Sequence, residues 1–183
     1  RFTPKHGGRV ITSSGPVKAD LLLRTQLDGD LVKVVTPGVE IPCGAPEEEV
    51  KNHIRVIGTA GPLETTQGQE YFIRAAEIIS HKIPNIEFVI AGAGPDEHRL
   101  RRLVDRLGLT PHITFAPDVQ DYDMALGAMD VFCQPALHQG EATVLFEALA
   151  LGKPCVATRI AGTTSVLKHG EHAWLVPSAN VQS

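Results

Sequence analysis

Residues 54–94 read IRVIGTAGPLETTQGQEYFIRAAEIISHKIPNIEFVIAGAG. The stretch opens on a near-continuous apolar run at 54–60, the pattern of a strand buried on both faces. A helix follows over 69–80, where Phe72, Ala75, Ala76 and Ile79 recur at i, i+3, i+4 and i+7. A second apolar run, 86–91, then stops at Gly92-Ala93-Gly94-Pro95. Strand, helix and strand with short loops make a βαβ unit, and a βαβ unit means parallel strands with a right-handed crossover.

The same alternation continues downstream. Leu100, Leu103, Val104 and Leu107 form one stripe of a helix that ends at Gly108. Short strands are expected at 112–116, 130–134, 155–158 and 173–176, with helices at 122–129, 141–151 and 163–168 between them. Six strands alternating with helices predict an α/β fold, a doubly wound Rossmann-like parallel sheet with helices on both faces. Residues 1–50 read differently, with strands at 9–12 and 32–36 around a helical stretch at 17–27. Pro37-Gly38, Pro42, Gly44, Pro46 and the run Glu47-Glu48-Glu49 have linker composition. The expected organisation is the tail of a truncated preceding domain (1–36), a linker (37–50) and the sheet domain (51–183).

The 183 residues carry 17 Lys+Arg against 21 Asp+Glu, a formal net charge of −4, with no clustered basic face for a nucleic-acid backbone. No apolar run approaches the roughly 20 residues of a transmembrane helix. Cys43, Cys133 and Cys155 are odd in number and lack CxxC spacing, which argues against a disulfide framework and for a cytoplasmic protein. Cys133 and Cys155 fall in neighbouring expected strands as buried thiols. Asp118, Asp121, Asp123, Asp96 and Glu97 sit where helices begin, and capping accounts for them. His169 and His172 have the spacing of a metal pair, but Gly170 between them marks a loop, and no metal site is expected.

In a sheet of order 3-2-1-4-5-6, ligands bind beyond the carboxyl ends of the first and fourth strands. Here those loops are 61–68 and 135–140, the second running directly into the helix at 141. Gly140 at a helix start lets free backbone N–H groups approach an anion, so a phosphate is expected at the 140–144 turn. Glu147 lies seven residues past Gly140, on the same helix face and about 10 Å along it. A carboxylate there suits a ribose diol, which offers two donors. Gly92-Ala93-Gly94 begins like a dinucleotide fingerprint, but its third position is Glu97 and it follows the second strand, so it reads as a tight turn.

The stretch PALHQGEATVLFEALALGKP (135–154) resembles the signature of retaining glycosyltransferases of the large GT-B family four. GTAGPLETTQGQEYFIRAA (58–76), FVIAGAGPDEHRLRRL (88–103), ITFAPDV (113–119), DVFCQP (130–135) and HGEHAWLVP (169–177) fit the same template. VKVVTPGVE (32–40) is similar to the hinge between that family's two domains. The resemblance implies a C-terminal domain that binds a nucleotide diphosphate sugar as co-substrate, without metal or other cofactor. Backbone N–H groups of Gly140, Glu141, Ala142, Thr143 and Val144 would meet the diphosphate, and Glu147 the ribose. The loop near Val119 would meet the base, and Gly61 would line the crevice. The acceptor, a glycan, lipid-linked or small molecule, would be held largely by the N-terminal domain.

Three positions depart from the family pattern. Its first motif glutamate is Gln139 here, its loop arginine is Pro62, and its loop lysine is Gln67. Gln139 keeps hydrogen-bonding capacity to orient the transferred sugar; the missing cations remove charge-assisted bonds to the diphosphate. Arg159 and His138 are local candidates to replace them. The expected activity is therefore the donor half of a glycosyltransferase, cytoplasmic, with peripheral attachment at the inner membrane face open to a full-length protein. The competing expectations are a degenerate module that only holds a nucleotide or partner, and an unrelated nucleotide-binding α/β protein.

Overall fold

The computed structural model describes residues 8–36, 38–40, 56–117, 122–138 and 143–182. Two sheets form among them. The smaller pairs β1 (Val10–Thr12) with β2 (Val32–Val34) in parallel, with helix α1 (Gly15–Arg24) between them in sequence. The helix starts where Ser14 accepts a bond from the Val17 N–H and Pro16 opens the first turn. Within the expected linker, residues 37 and 41–50 lie outside the described residues, as does Cys43.

The larger sheet contains β3 (Val56–Ala60), β4 (Glu87–Ala91), β5 (Ile113–Ala116), β6 (Val131–Gln134), β7 (Cys155–Thr158) and β8 (Trp174–Val176). Its order is β5-β4-β3-β6-β7-β8, all parallel, so the chain reverses direction across the sheet between β3 and β6. Asp130 fastens that junction: its carboxylate accepts from the Val56 N–H at 3.0 Å while its own N–H donates to the Val56 carbonyl at 2.9 Å. All six expected strands form, to within two residues at either end; residues 54 and 55 of the first lie outside the described residues.

Helices α2 (Gln69–Ser80) and α3 (Glu97–Arg106) cover one face. There Phe72, Ile73, Leu100, Leu103 and Val104 pack on Phe88 and Ile90. Helices α4 (Tyr122–Ala128) and α5 (Thr143–Ala150) supply Leu126, Leu145 and Ala148 to a second cluster, with Phe132, Cys155 and Ala157 from the strands. Alternating strand residues thus feed opposite clusters, as a sheet buried on both faces requires. The helix expected at 163–168 is displaced and shorter, α6 (Ala161–Thr164). Buried Thr163 causes this: its hydroxyl donates to the Thr158 carbonyl at 2.6 Å and accepts from the Ile160 N–H, pulling the turn back onto the end of β7.

Candidate functional site

Three loops meet beyond the carboxyl ends of β3, β4 and β6. The β3–α2 loop (61–68) is bonded to the β4–α3 loop by Leu63 N–H to the Ala93 carbonyl and by Asp96 N–H to the Leu63 carbonyl, each 3.0 Å. Gly92 lies so close to the Gly61 backbone that a Cβ would overlap its carbonyl oxygen. The tight turn at Gly92-Ala93-Gly94 therefore has a packing reason. Gly68 has φ of 71° and faces the Pro135 carbonyl, which leaves no space for a side chain on two counts. Buried Gln69 donates to the Pro62 carbonyl at 2.8 Å, and Leu137 N–H donates to the Thr66 carbonyl at 2.9 Å. The first and fourth loops named from the sequence are hence one bonded unit.

From the β7 side, the Thr158 hydroxyl reaches the Ala136 carbonyl and fixes the start of the β6–α5 loop. Gln134, at the end of β6, is 5% exposed; its Nε2 meets Gln67 Oε1 at 3.4 Å, while its own buried Oε1 has no partner among the described residues. Gln67 therefore stands in the crevice with its carbonyl oxygen already engaged. Gln139, Gly140, Glu141 and Ala142 lie outside the described residues, as do Val119, Asp118 and Asp121. His138, the last described residue before that gap, is exposed.

Thr143 and Val144 open α5, whose described first turn carries no acidic residue to oppose an anion. Glu147 follows half-buried on the same helix. Tyr122 is the first residue of α4, which packs on α5: burial first, and the Glu147 charge second, push its phenol up from its ordinary value. Sequence reading missed Tyr122. Its signal was position alone, directly after the loop expected to meet a base.

Arg159 hydrogen-bonds the Leu175 carbonyl at 3.2 Å, so its guanidinium leans towards β8, on the opposite side of β7 from β6. Asp96 does not cap α3; its carboxylate accepts from Thr65 Oγ1 at 2.7 Å and from Arg99 at 3.0 Å. A carboxylate with a hydroxyl and a guanidinium to choose from takes the side-chain partners over a neutral backbone N–H. His169 and His172 each accept a backbone N–H through Nδ1, from Leu175 and Lys168. Cys133 and Cys155 are thiols pushed up to about 12, by burial first. Lys153, in the Gly-Lys-Pro exit from α5, is buried with Nζ on the Gly127 carbonyl at 3.2 Å.

Against known proteins, the model of the family described as "Glycosyl transferases group 1" matches residues 54–183. The chain belongs to this family. It is 29% identical over 182 residues to the D-inositol 3-phosphate glycosyltransferase of Pseudarthrobacter chlorophenolicus, covering 92% of this chain and 43% of the relative. HepE of Anabaena, solved in complex with UDP-glucose, superposes with a TM-score of 0.82 at 21% identity, over 96% of this chain and 51% of HepE. The C-terminal domain of a group 1 glycosyl transferase (LpcC) from Francisella tularensis shares 25% identity and a TM-score of 0.62, over 70% of each chain. The chain thus spans less than half the length of that curated relative. Among the described residues no helix is long and apolar enough to cross a membrane.

Proposed function

We propose that this group 1 chain is the donor-binding half of a retaining, metal-independent glycosyltransferase. It would bind a nucleoside diphosphate sugar while an N-terminal domain presents the acceptor. The carrying observation is Glu147, a half-buried carboxylate on α5, the helix that leaves β6 at the reversal point of the sheet. On this reading the N–H groups of residues 140–144 receive the diphosphate and the dipole of α5 offsets its charge. Glu147 takes the ribose hydroxyls, and the segment at 117–119 with Tyr122 flanks the base. Gln139 orients the transferred sugar, and Gly61, Gln67 and His138 line the crevice. Arg159, whose guanidinium has N–H donors besides the one on the Leu175 carbonyl, would add a cation for the diphosphate.

Stabilising the departing nucleoside diphosphate lowers the barrier because that charge develops in the transition state. Because the other wall of the cleft belongs to the N-terminal domain, residues 1–183 alone would bind donor and transfer nothing. The protein would work in the cytoplasm, with the acceptor bringing it to the inner membrane face where that acceptor is a lipid.

The test is calorimetric titration with UDP, UDP-glucose, UDP-N-acetylglucosamine and GDP-mannose, repeated with Glu147→Ala. The variant is expected to lose about tenfold in affinity for whichever nucleotide binds, the worth of a charge-assisted bond. Equal binding by variant and parent would sink the assignment. A second reading, a module that only holds a nucleotide or a partner, draws support from neutral Pro62 and Gln67, the latter already paired with Gln134. Nucleotide binding indifferent to both the sugar and Glu147 would favour it.

A further inference from the structure

One side-chain network lies on the outer side of the β3–α2 loop. Thr65 Oγ1 donates to Asp96 Oδ2 at 2.7 Å, and Arg99 donates to the same oxygen at 3.0 Å. Arg99 also pairs with Glu70, which takes Arg74 at 2.8 Å. The hydroxyl and guanidinium hold the Asp96 carboxyl below its usual range, and the two arginines do the same for Glu70. These side chains are 20–45% exposed, so water screens the pairs and global stability gains little from them.

Their geometric reach is larger. Glu64, Thr65 and Thr66 are exposed, so burial does not position the one-turn 3-10 segment Thr65–Gln67. It is held at its ends by buried Leu63 and Gly68, and between them by the Thr65 hydroxyl. Its inner side carries the crevice: the Thr66 carbonyl receives the Leu137 N–H, and Gln67 meets Gln134. Leu137 and His138 are the last described residues before the expected diphosphate turn.

We propose that Thr65 and Asp96 are positioning residues for the donor crevice. Asp96, braced by Arg99, holds the Thr65–Gln67 turn where it can carry Leu137 and set the approach to the diphosphate turn. The inference rests on the donor-binding reading above and adds a control point that touches no ligand. A hydroxyl on the outer surface acts through two backbone groups on the loop that faces the diphosphate.

The experiment compares the 183-residue chain with Thr65→Val, which removes the hydroxyl at constant shape, and Thr65→Ser, which keeps it. Each is titrated with the four nucleotides named above, melted, and examined by amide hydrogen exchange. The Val variant is expected to bind about three- to tenfold more weakly, with exchange of the Leu137 amide accelerated. The Ser variant should restore both, and all three melting points should agree within about 2 °C, as for an exposed bond. Parent-like binding by Thr65→Val, or failure of Thr65→Ser to rescue, overturns the proposal. So does protection lost across the whole domain, the mark of a folding role. If the parent binds none of the four, the donor reading fails and the control of binding fails with it. The Leu137 exchange rate then still shows whether the mechanical link exists, which separates the two failures.

Discussion

Two βαβ units in this chain share one local plan and differ in what they bury. In β3–α2–β4 the helix buries Gln69, Phe72, Ile73 and Ala76, and Phe72 meets Phe88 edge-on at 6.0 Å between ring centroids. In β1–α1–β2 the helix buries no residue, Leu23 is 86% exposed and Ile11 69% exposed. Its bonds are chiefly local: Ser14 at the helix start, Lys18 Nζ on the Gly29 and Val32 carbonyls, and an exposed Arg24–Asp20 pair. Both units have a strand, a helix and a parallel partner. Among the described residues, only β3–α2–β4 has further strands on both sides and a second helix beside it. The lesson is that a βαβ pattern specifies its own connection, while its stability comes from the layers packed against it.

Three measurements press on that contrast. Phe72→Ala is expected to cost about 3–5 kcal/mol in denaturant unfolding, transfer plus cavity. A loss below about 1 kcal/mol would mean β3–α2–β4 is no better anchored than β1–α1–β2. Asp96→Asn should cost at most about 1 kcal/mol at pH 7, because its ion pair is partly exposed. Its pH dependence has a definite sign. The folded carboxyl lies below its unfolded value, so its contribution is full above about pH 5 and fades as pH falls through the folded value. Stability curves of parent and variant should therefore converge in acid, and a gap that widens there would refute the Thr65–Asp96–Arg99 account. Leu23→Ala should change stability by less than about 0.5 kcal/mol, as for any exposed position. A larger loss would show that α1 has a partner in solution.

The candidate site divides along similar lines. Glu147 was legible from the sequence as a charge within Val144-Leu145-Phe146-Glu147-Ala148-Leu149, at helical spacing from the expected anion turn. The effect of its charge on Tyr122 was not, because that needs α4 and α5 docked on the same face. Asp96 was read as a cap since helix starts favour acidic residues. Its actual partner, Thr65, is 31 residues away on another loop. Arg159 was named from strand adjacency alone; that one of its N–H groups meets the Leu175 carbonyl of β8 is a detail adjacency does not specify.

By itself the sequence determined the six strands, their helices and their order. A parallel sheet buried on both faces demands unbroken apolar runs, and right-handed crossovers leave few ways to connect them. It also pointed to the place where a ligand crevice is expected, the reversal that lies between β3 and β6. Only the tertiary structure decided how that crevice is lined. Gln134 opposite Gln67, Thr65 on Asp96 and Leu137 on Thr66 are meetings between segments remote in sequence. Hydrophobic periodicity records which face a residue takes, and carries no record of which polar partner waits there.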